Sequence, residues 1–400
     1  MTRLDAPFLR DPALQSVLAM LETGGHRALI VGGAVRNALI GAPVADVDIA
    51  SDARPETVVE LAAAAGLRTV PTGINHGTVT VIAEGSAFEV TTFRRDVATD
   101  GRRATVAYAD SIDEDAQRRD FTMNALYADR KGVVLDPVGG LDDLAARRLV
   151  FVGTPEARIT EDYLRILRFF RFLAWYGREA EPQALAACTA LKDGLSQISA
   201  ERIGAEMRRL LAAPDPGFAL ALMDGGGVLD ACLPGASAAI IPALIAAERA
   251  EDEAPHWPRR LAALGGRNTA QHLRLSRAEA KTQALLAALA AGEASADPQH
   301  KASNGLDAIA YHHGAAIARD VALIRAARGE ALPQGWQALV ARAAGARLPV
   351  CAADLMPQLD GPALGAGLRA AEGAWIASGF TASRAALIAA AVEQAGGAAH

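Results

Sequence analysis

The sequence has few cysteines and few aromatic residues for its length. Only three of its 400 residues are cysteine, and Cys188, Cys232 and Cys351 lie far apart, each beside apolar residues. This distribution excludes a disulfide framework or a closely spaced zinc site, and it predicts small buried side chains in a reducing cytoplasm. Aromatic residues make up 5% of the chain and apolar residues 51%, much of it alanine. Such a composition favours helical packing over a large β core.

Long apolar runs and an excess of positive charge are also absent. No apolar run approaches the ~20 residues of a membrane span, and the first residues carry Asp5 and no long apolar region. The sequence therefore predicts neither membrane association nor a signal peptide. The net charge is −6 at pH 7. Because proteins that coat nucleic acid non-specifically are usually basic, a polyanionic partner would have to be held by local arginine clusters.

What the sequence does contain is a glycine pair, Gly32-Gly33, between two short predicted elements. Residues 28–31 are apolar and predict a buried strand, and residues 34–40 predict a short helix. A glycine pair at such a turn lets backbone N–H groups approach an anion, and the N-terminus of a helix attracts negative charge. Arg36, one turn into the helix, could donate to the same anion. A plain turn is the alternative interpretation.

Acidic side chains follow this turn. Asp46 and Asp48 flank Val47, and a strand through them would project both carboxylates to one side. Two oxygen ligands beside a phosphate cradle suit Mg²⁺ that bridges nucleotide phosphates. A third acid, Glu89, lies in the later strand of a hairpin predicted over residues 78–82 and 88–93. Glu89 is either a third carboxylate near the metal or a solvated edge residue, and the aspartates could likewise be a solvated strand end.

The periodicity changes along the chain and predicts three regions. Residues 1–152 read as an α/β head with a mixed sheet, residues 153–213 as a helical neck, and residues 214–400 as a helical body and tail. Within the head, residues 94–112 predict a long mobile loop and residues 114–126 a helix. In the neck, Thr160 is predicted to cap a helix over residues 161–176.

Charged residues recur every third position on that neck helix. Asp162 and Arg165 would be neighbours on its surface, whereas Arg171 would lie near the opposite face. An adjacent carboxylate and guanidinium could form hydrogen bonds with the donor–acceptor edge of cytosine or adenine. Guanine and uracil present the reversed order, so that donor would face donor and acceptor would face acceptor. A surface salt bridge between positions i and i+3 is the alternative. Arg168 and Arg171 could serve the same ligand or a neighbouring domain.

Taken together, these blocks resemble the class II tRNA nucleotidyltransferases, the CCA-adding enzymes, which form one family with bacterial poly(A) polymerases. The resemblance covers about the first half of the chain. The matching blocks, in order, are Gly32-Gly33-x-Val35-Arg36, Asp46-x-Asp48, Glu89 in its strand, Arg118-Arg119-Asp120-Phe121-Thr122-x-Asn124-Ala125, Glu161-Asp162-x-x-Arg165-x-x-Arg168 and Ser199-x-Glu201-Arg202-Ile203-x-x-Glu206.

The resemblance implies a two-metal transfer of C, C and A from CTP and ATP to the 3′ end of tRNA. It implies Mg²⁺ ions on Asp46 and Asp48, with Glu89 as the third active-site carboxylate, and a tRNA acceptor stem that crosses the helical part. Further roles implied by the family concern the nucleotide: Gly32, Gly33 and Arg36 for the triphosphate, Arg119 for the nucleotide, Asp120 and Asn124 for the ribose pocket, Asp162 and Arg165 for the base, Arg168 and Arg171 for nucleotide or neighbouring structure.

One departure from the family pattern is Asn37, where the family usually has aspartate. An asparagine accepts a hydrogen bond but forms no ion pair, so an ion-pair role at this position is in doubt. Other activities stay open. A poly(A) polymerase of the same family tends to carry a basic segment where this chain has residues 67–73. An enzyme that adds only the two cytidines lacks an intact loop at the position of residues 94–112. A non-catalytic tRNA-binding homologue would be expected to lose the metal ligands.

Overall fold

The computed structural model of the protein describes residues 2–73, 77–97, 105–292 and 305–397, without the side chains of residues 72, 96, 97, 105, 106 and 395–397. The contacts between Cα atoms divide the chain into two compact units, Met1–Cys232 and Leu233–His400. No helix in the described ranges is long and apolar enough to cross a membrane.

The first unit is built on a seven-stranded mixed sheet. Strands in the described residues are Ala28–Val31 (β1), Asp48–Ser51 (β2), Arg68–Gly73 (β3), Thr78–Ala83 (β4), Ser86–Thr92 (β5), Arg94–Val97 (β6), Thr105–Tyr108 (β7), Tyr127–Ala128 (β8), Val134–Leu135 (β9), Arg148–Leu149 (β10) and Glu179–Ala180 (β11). The order across the large sheet is β3-β4-β5-β2-β1-β8-β9. β1 is antiparallel to β2 and β8, whereas β2 is parallel to β5. The apolar strand predicted over residues 28–31 is therefore confirmed, and it lies inside the sheet with all four residues buried.

Helices surround this sheet and continue into the neck. They are Pro12–Thr23 (α1), Gly33–Leu39 (α2), Pro55–Ala64 (α3), Ile112–Gln117 (α4), Gly140–Ala145 (α5), Pro155–Glu161 (α6), Leu164–Tyr176 (α7), Pro182–Ala190 (α8), Ala200–Leu211 (α9), Gly217–Gly225 (α10) and Val228–Cys232 (α11). Short 3₁₀ helices form at Pro7–Arg10, Thr122–Asn124 and Lys192–Gln197. The predicted α/β head followed by helices is thus confirmed.

The second unit is helical in its described residues. Its helices are Ile241–Ala250 (α12), Trp257–Leu264 (α13), Thr269–His272 (α14), Arg277–Ala290 (α15), Leu306–His313 (α16), Ala315–Ala327 (α17), Trp336–Gly345 (α18), Ala352–Leu355 (α19), Gly361–Ala377 (α20) and Arg384–Gly397 (α21). Two buried arginines, Arg259 and Arg260, both reach Glu248, and Arg259 also reaches Asp320 at 2.9 Å. Burial of these charges is tolerated because each has an ionic partner.

The head departs from the sequence prediction at two places. The helix predicted over residues 114–126 ends at Gln117. Phe121 instead bridges to Phe151 in extended conformation and packs on its ring at 4.9 Å between centroids, so tertiary pairing overrides the helical pattern. The mobile loop predicted over residues 94–112 is also partly wrong, because β6 and β7 pair antiparallel from Arg94↔Tyr108 to Val97↔Thr105. Its central residues, 98–104, lie outside the described ranges.

The neck also departs from the sequence prediction. The single helix predicted over residues 161–176 is broken, because α6 ends at Glu161 and α7 begins at Leu164. Asp162 is extended (φ −156°, ψ 103°), and its carboxylate accepts a hydrogen bond from the Leu164 N–H at 3.2 Å. Aspartate favours this local bond over continued helix. Thr160 does not cap, since it lies inside α6 and bonds back to the carbonyl of Glu156.

The cysteine prediction holds for two of three positions. Cys188 and Cys232 are buried, but Cys351 is exposed at the start of α19. Burial raises the pKa of the Cys232 thiol to about 12, so this thiol is protonated and unreactive at neutral pH.

Candidate active site

Two predicted site carboxylates come together through strand register. The parallel pairing of β2 and β5 sets Ile49 beside Val90, and both side chains are buried. Because side chains alternate along a strand, the preceding residues Asp48 and Glu89 lie together on the opposite, exposed face of the sheet. Sequence reasoning placed these two acids in one site without knowledge of the strand pairing that brings them together.

Asp46 reaches this region differently from the prediction. The strand begins only at Asp48, which pairs with Val31, and Asp46 lies in the irregular segment before it. The expectation that both aspartates project from one strand is therefore wrong. Asp46 nevertheless lines the same cavity as Asp48 and Glu89. Its position depends on the course of residues 40–47.

The carboxylates open into a cavity of about 1060 Å³ on this face of the sheet. Its walls come from three parts of the chain: the N-terminal residues near Asp5 and Phe8, the segment 41–48, and the β4–β5 hairpin with Thr80 and Glu89. A space of this size accommodates a ligand of several hundred Å³. Its acidic side is where positive charge would be attracted.

The negative charges on this face of the sheet repel one another. The pKa of Asp48 is raised, chiefly because neighbouring atoms shield its carboxylate from water and secondly because Glu89 repels it; Arg119 opposes this and Asp46 adds to it. A bound cation would relieve the repulsion, and oxygen donors are the ligands that Mg²⁺ prefers. Among the described residues, no three acidic, imidazole or thiol side chains enclose a metal position by themselves. The donor set thus fits a divalent cation that also keeps water or phosphate oxygens as ligands.

The glycine turn lies at the end of β1. Gly32 has φ +69° and its N–H donates to the carbonyl of Leu126 at 3.0 Å, while Gly33 is the first residue of α2. A Cβ on Gly32 would lie 3.5 Å from a terminal nitrogen of Arg119. The turn therefore brings the glycine backbone close to this guanidinium, and only glycine adopts the conformation without strain.

We expect Gly32→Ala to impair this turn. The added Cβ has room, since its nearest contacts are 3.5 and 3.6 Å away, so the cost comes from the backbone conformation (φ +69°, ψ −118°) and is about 1–3 kcal/mol. Thermal unfolding should register a loss of that size, and nucleotide binding should weaken more than stability if the turn also touches phosphate. Gly25→Ala, at φ +82° with open space around it, is the control for backbone strain alone. Equal nucleotide affinity in the two variants would contradict a binding role for the turn.

Arg36 is buried and held on several sides. Its guanidinium donates to the Oδ1 of Asn37 at 2.8 and 3.0 Å and to the Oδ1 of Asn124. It lies 3.9 Å from the ring centre of Tyr176 and 5.2 Å from that of Phe172. Burial is the largest influence and lowers the pKa of Arg36, yet the group stays charged. The side chain predicted to hold a triphosphate is thus an anchor between head and neck helix in this structure.

Arg119 has its own carboxylate partner. It donates to Asp115 at 2.9 Å and to the hydroxyl of Tyr127 at 3.0 Å. Although burial alone would lower the pKa of Arg119, these neighbours raise it. Sequence reasoning missed Asp115 and Tyr127; the i, i+4 spacing of Asp115 and Arg119 was the available signal. These contacts keep the guanidinium beside Gly32 and within electrostatic reach of Asp48.

Asp120 and Asn124 form the centre of a buried polar network. Asp120 accepts hydrogen bonds from Arg168, from the amide nitrogen of Asn124 at 3.0 Å and from the N–H of Phe121 at 2.9 Å. Burial by itself would raise the pKa of Asp120, but the charge of Arg168 and these hydrogen bonds together lower it. Asn124 continues the network through its oxygen to Arg36. The two predicted pocket residues are therefore in direct contact.

The proposed base readers have separate side-chain partners. Asp162 accepts from Arg202 at 2.7 Å, and Arg165 contacts Glu161 at 2.5 Å as well as the carbonyl of Arg158 at 2.7 Å. Both salt bridges are partly exposed, so exchanging them for ligand contacts would cost little. The i, i+3 salt bridge between Asp162 and Arg165 is not formed.

Arg171 turns away from this pair toward α9. It contacts the buried Glu206 and lies 4.2 Å above the ring centre of Phe172. The ring of Phe172 also has Arg36 at 5.2 Å and Arg168 at 5.6 Å. Sequence reasoning missed this aromatic platform because Phe172 fits the apolar stripe of α7 equally well. Arg171 therefore contacts a neighbouring helix in this structure, and a contact between Arg171 and nucleotide stays a prediction.

Comparison with known proteins agrees with this geometry. The family model described as the poly A polymerase head domain matches residues 28–150. The model described as the probable RNA and SrmB-binding site of polymerase A matches residues 179–240.

Curated and solved relatives are consistent with these matches. The CCA-adding enzyme of Geobacillus kaustophilus (strain HTA426) is 40% identical over 226 residues, which are 56% of this chain and 55% of that protein. That of Streptococcus gordonii (strain Challis) is 46% identical over 200 residues, 50% of this chain and 49% of that protein. The match therefore spans about half the length of these curated relatives. The crystal structure of the Bacillus stearothermophilus CCA-adding enzyme in complex with CTP superposes with a TM-score of 0.73 at 28% identity, covering 97% of this chain and 99% of that one.

Residues 28–150, which carry the mixed sheet, the glycine turn and the carboxylates Asp48 and Glu89, match the head domain of poly A polymerase. Over about half of its length the chain is similar to CCA-adding enzymes, and its fold is similar to that of the Bacillus stearothermophilus enzyme. The donor set at Asp48 and Glu89 fits a divalent cation.

Proposed function

We propose that this protein adds C, C and A to the 3′ end of tRNA, using CTP and ATP and releasing pyrophosphate. The observation that carries the proposal is the register of β2 and β5, which sets Asp48 beside Glu89 in a large cavity next to Arg119. The relatives named above are CCA-adding enzymes, and one of them was crystallised with CTP. The proposed place of action is the cytoplasm, where tRNA is processed.

The proposed cation is Mg²⁺, held by Asp46 and Asp48 with Glu89 beside them. When bound, it would lower the pKa of the tRNA 3′-hydroxyl and neutralise charge on the triphosphate. The chain itself contributes position and charge. Arg119, fixed by Asp115 and Tyr127, would donate to phosphate oxygens beside the backbone of Gly32 and Gly33. Such a site works mostly by orientation and electrostatic stabilisation.

The head (1–152) would thus carry the chemistry, the neck (153–213) would select the base, and the body and tail (214–400) would hold the tRNA. For base selection, Asp162 would leave Arg202 and accept from the exocyclic amine, while Arg165 would leave Glu161 and donate to the adjacent ring nitrogen. Arg168 would place this pair, since it links α7 to Asp120 in the head.

Extension of a tRNA that lacks its 3′ end tests the proposal. The protein is incubated with Mg²⁺ and with CTP, ATP, both, or UTP and GTP, and products are read at single-nucleotide resolution. Two additions from CTP alone and a third once ATP is supplied are expected. A long tail from ATP alone would make the protein a poly(A) polymerase, as the name of the head-domain family allows. Two additions and no third would make it an enzyme for the cytidines only. Binding of tRNA without extension would indicate a non-catalytic homologue.

We expect Arg165→Ala to relax the choice of nucleotide in the same assay. Loss of one charged donor to the base edge should reduce discrimination against UTP and GTP by about 10-fold, a cost of about 1.4 kcal/mol. The measurement is the ratio of kcat/KM for CTP to that for UTP. Arg178→Ala, an exposed neck arginine, is the matched control and should leave the ratio unchanged. An equal ratio in Arg165→Ala and wild type would remove Arg165 from base selection.

A further inference from the structure

Asn37 connects the helix after the glycine turn to the segment that carries Asp46. Its amide nitrogen donates to the carbonyl of Pro43 at 2.7 Å, and its backbone carbonyl accepts from the N–H of Ala42 at 2.8 Å. One residue of α2 thus makes two hydrogen bonds to consecutive residues of the segment. The Pro43 carbonyl lies three residues before Asp46.

The rest of this segment has no comparable attachment. Residues 44–47 make no hydrogen bond with another part of the described chain, and β2 begins only at Asp48. Asp46 therefore lies between two points of attachment. These are the Asn37 contacts on its N-terminal side and the first strand pair, Val31↔Asp48, on its C-terminal side. Loss of the Asn37 contacts would free the segment over several residues.

The orientation of the Asn37 amide is fixed by its partners. Its oxygen accepts two hydrogen bonds from Arg36, at 2.8 and 3.0 Å, so its nitrogen must face the Pro43 carbonyl. An aspartate here could keep both bonds from Arg36 but would set an oxygen against the carbonyl oxygen of Pro43. In the geometry of this chain, the amide of Asn37 satisfies both neighbours at once.

Arg36 is in turn held by the network that ends on the neck helix. It donates to Asn124, which donates to Asp120, which accepts from Arg168. A continuous chain of side-chain hydrogen bonds therefore runs from α7 to the Asp46 segment, and Asn37 is its last member. Such chains orient the final group because each partner limits the rotation of the next.

We infer that Asn37 is a positioning residue for the Asp46 carboxylate, which it keeps in the active-site cavity by holding the segment at Pro43. Asn37 touches neither the cavity nor any reacting atom, since it is not among the cavity-lining residues, whereas Pro43, Asp46 and Asp48 are. This inference rests on the proposed function, because it assigns Asp46 to the cation.

Two substitutions separate the contacts of Asn37. Asn37→Asp removes only the donor to Pro43 and retains an acceptor for Arg36, whereas Asn37→Ala removes both and leaves the buried Arg36 short of a partner. Asn268→Asp makes the same chemical change at an exposed position in the second unit and serves as the matched control. Thermal unfolding should give nearly equal Tm values for wild type, Asn37→Asp and Asn268→Asp, and a lower Tm for Asn37→Ala.

The direct readout is the binding of Mn²⁺ in the absence of nucleotide and tRNA. It is measured as the loss of the free-ion signal in electron paramagnetic resonance. We expect Asn37→Asp to raise the Kd for Mn²⁺ about 10-fold, the effect usual for loss of a group that orients a ligand. The added negative charge alone would strengthen cation binding. Weaker binding would therefore show that the Asp46 carboxylate is no longer held in position. The kcat for CTP addition should fall by a similar factor while the KM for CTP stays unchanged.

The outcomes distinguish the inference from the proposed function. If wild type extends tRNA and Asn37→Asp matches it in Mn²⁺ affinity and kcat, the positioning role is refuted and the proposed function stands. If wild type binds Mn²⁺ but extends no RNA, the proposed activity fails, and a raised Kd in Asn37→Asp still supports the positioning role. A KM effect with unchanged Kd would assign Asn37 to nucleotide binding and overturn the inference.

Discussion

Replacement of Asp48 by alanine is expected to abolish nucleotide transfer, with kcat at least about 1000-fold lower. Asp48 and Glu89 share one face of the sheet, and the loss of a cation ligand removes charge stabilisation worth about 4 kcal/mol. The measurement is single-turnover extension of tRNA by CTP at saturating Mg²⁺. Because Asp48 lies on an exposed face and its pKa is raised by burial and repulsion, the variant should fold with unchanged or higher stability.

Asp142→Asn is the control for loss of a head carboxylate, since Asp142 is exposed on α5. It should retain full activity. Asp48→Asn keeps the shape of the side chain and should be as inactive as Asp48→Ala, because an amide supplies no negative charge to a cation. Substantial activity in both Asp48 variants would remove Asp48 from the metal site and redirect attention to Asp46 and Glu89.

Replacement of Asp120 by alanine is expected to have the largest effect on stability, about 3 kcal/mol, and to lower kcat about 100-fold. Asp120 joins Arg168 of the neck to Asn124 of the head, so its loss leaves a charged and a polar group without their partner. Urea unfolding should give the loss of free energy, and CTP addition the loss of rate. Asp110→Asn, at an exposed carboxylate beside Arg54, should change the free energy of unfolding by no more than a few tenths of a kcal/mol. It should leave the rate of CTP addition unchanged.

The pH dependence of that stability follows from the lowered pKa of Asp120. A carboxyl group whose pKa is lower in the folded than in the unfolded state contributes its full stability above the ordinary value of 3.8. The contribution disappears as the pH falls through the folded-state pKa, where the carboxylate takes up a proton. The difference in unfolding free energy between wild type and Asp120→Asn should therefore be constant near neutral pH and shrink below about pH 4. A constant difference down to the lowest accessible pH would contradict the ion pair with Arg168.

The aromatic and arginine contacts of α7 help to explain why one helix joins the head and the neck. Phe172 has three guanidinium groups over its ring, from Arg36, Arg168 and Arg171. Each such contact adds a modest stabilisation that grows where water is excluded. Arg165, one of the two residues proposed to select the base, is thereby carried on an element fixed to both the glycine-turn helix and α9. This rigidity is what selection of a base by two side chains requires.

The sequence by itself determined the local elements and the candidate residues of the site. The strand–turn–helix around Gly32, the β4–β5 hairpin and the change to helices after the head were all predicted, because these features depend on residue type and short-range periodicity. The family resemblance likewise followed from short blocks of residues. The roles of Asp46, Asp48 and Glu89 in metal binding stay predictions that the experiments above test.

Tertiary structure decided the rest. The register of β2 and β5 sets Asp48 beside Glu89, pairing with Phe151 draws Phe121 out of a predicted helix, and Asp162 and Arg165 take partners on other segments. The hydrogen bond from Asn37 to the carbonyl of Pro43 was likewise not predicted from the sequence. The physical reason is common to these cases: propensity and spacing act over a few residues, whereas strand register and buried polar contacts are fixed by segments that meet only once the chain has folded.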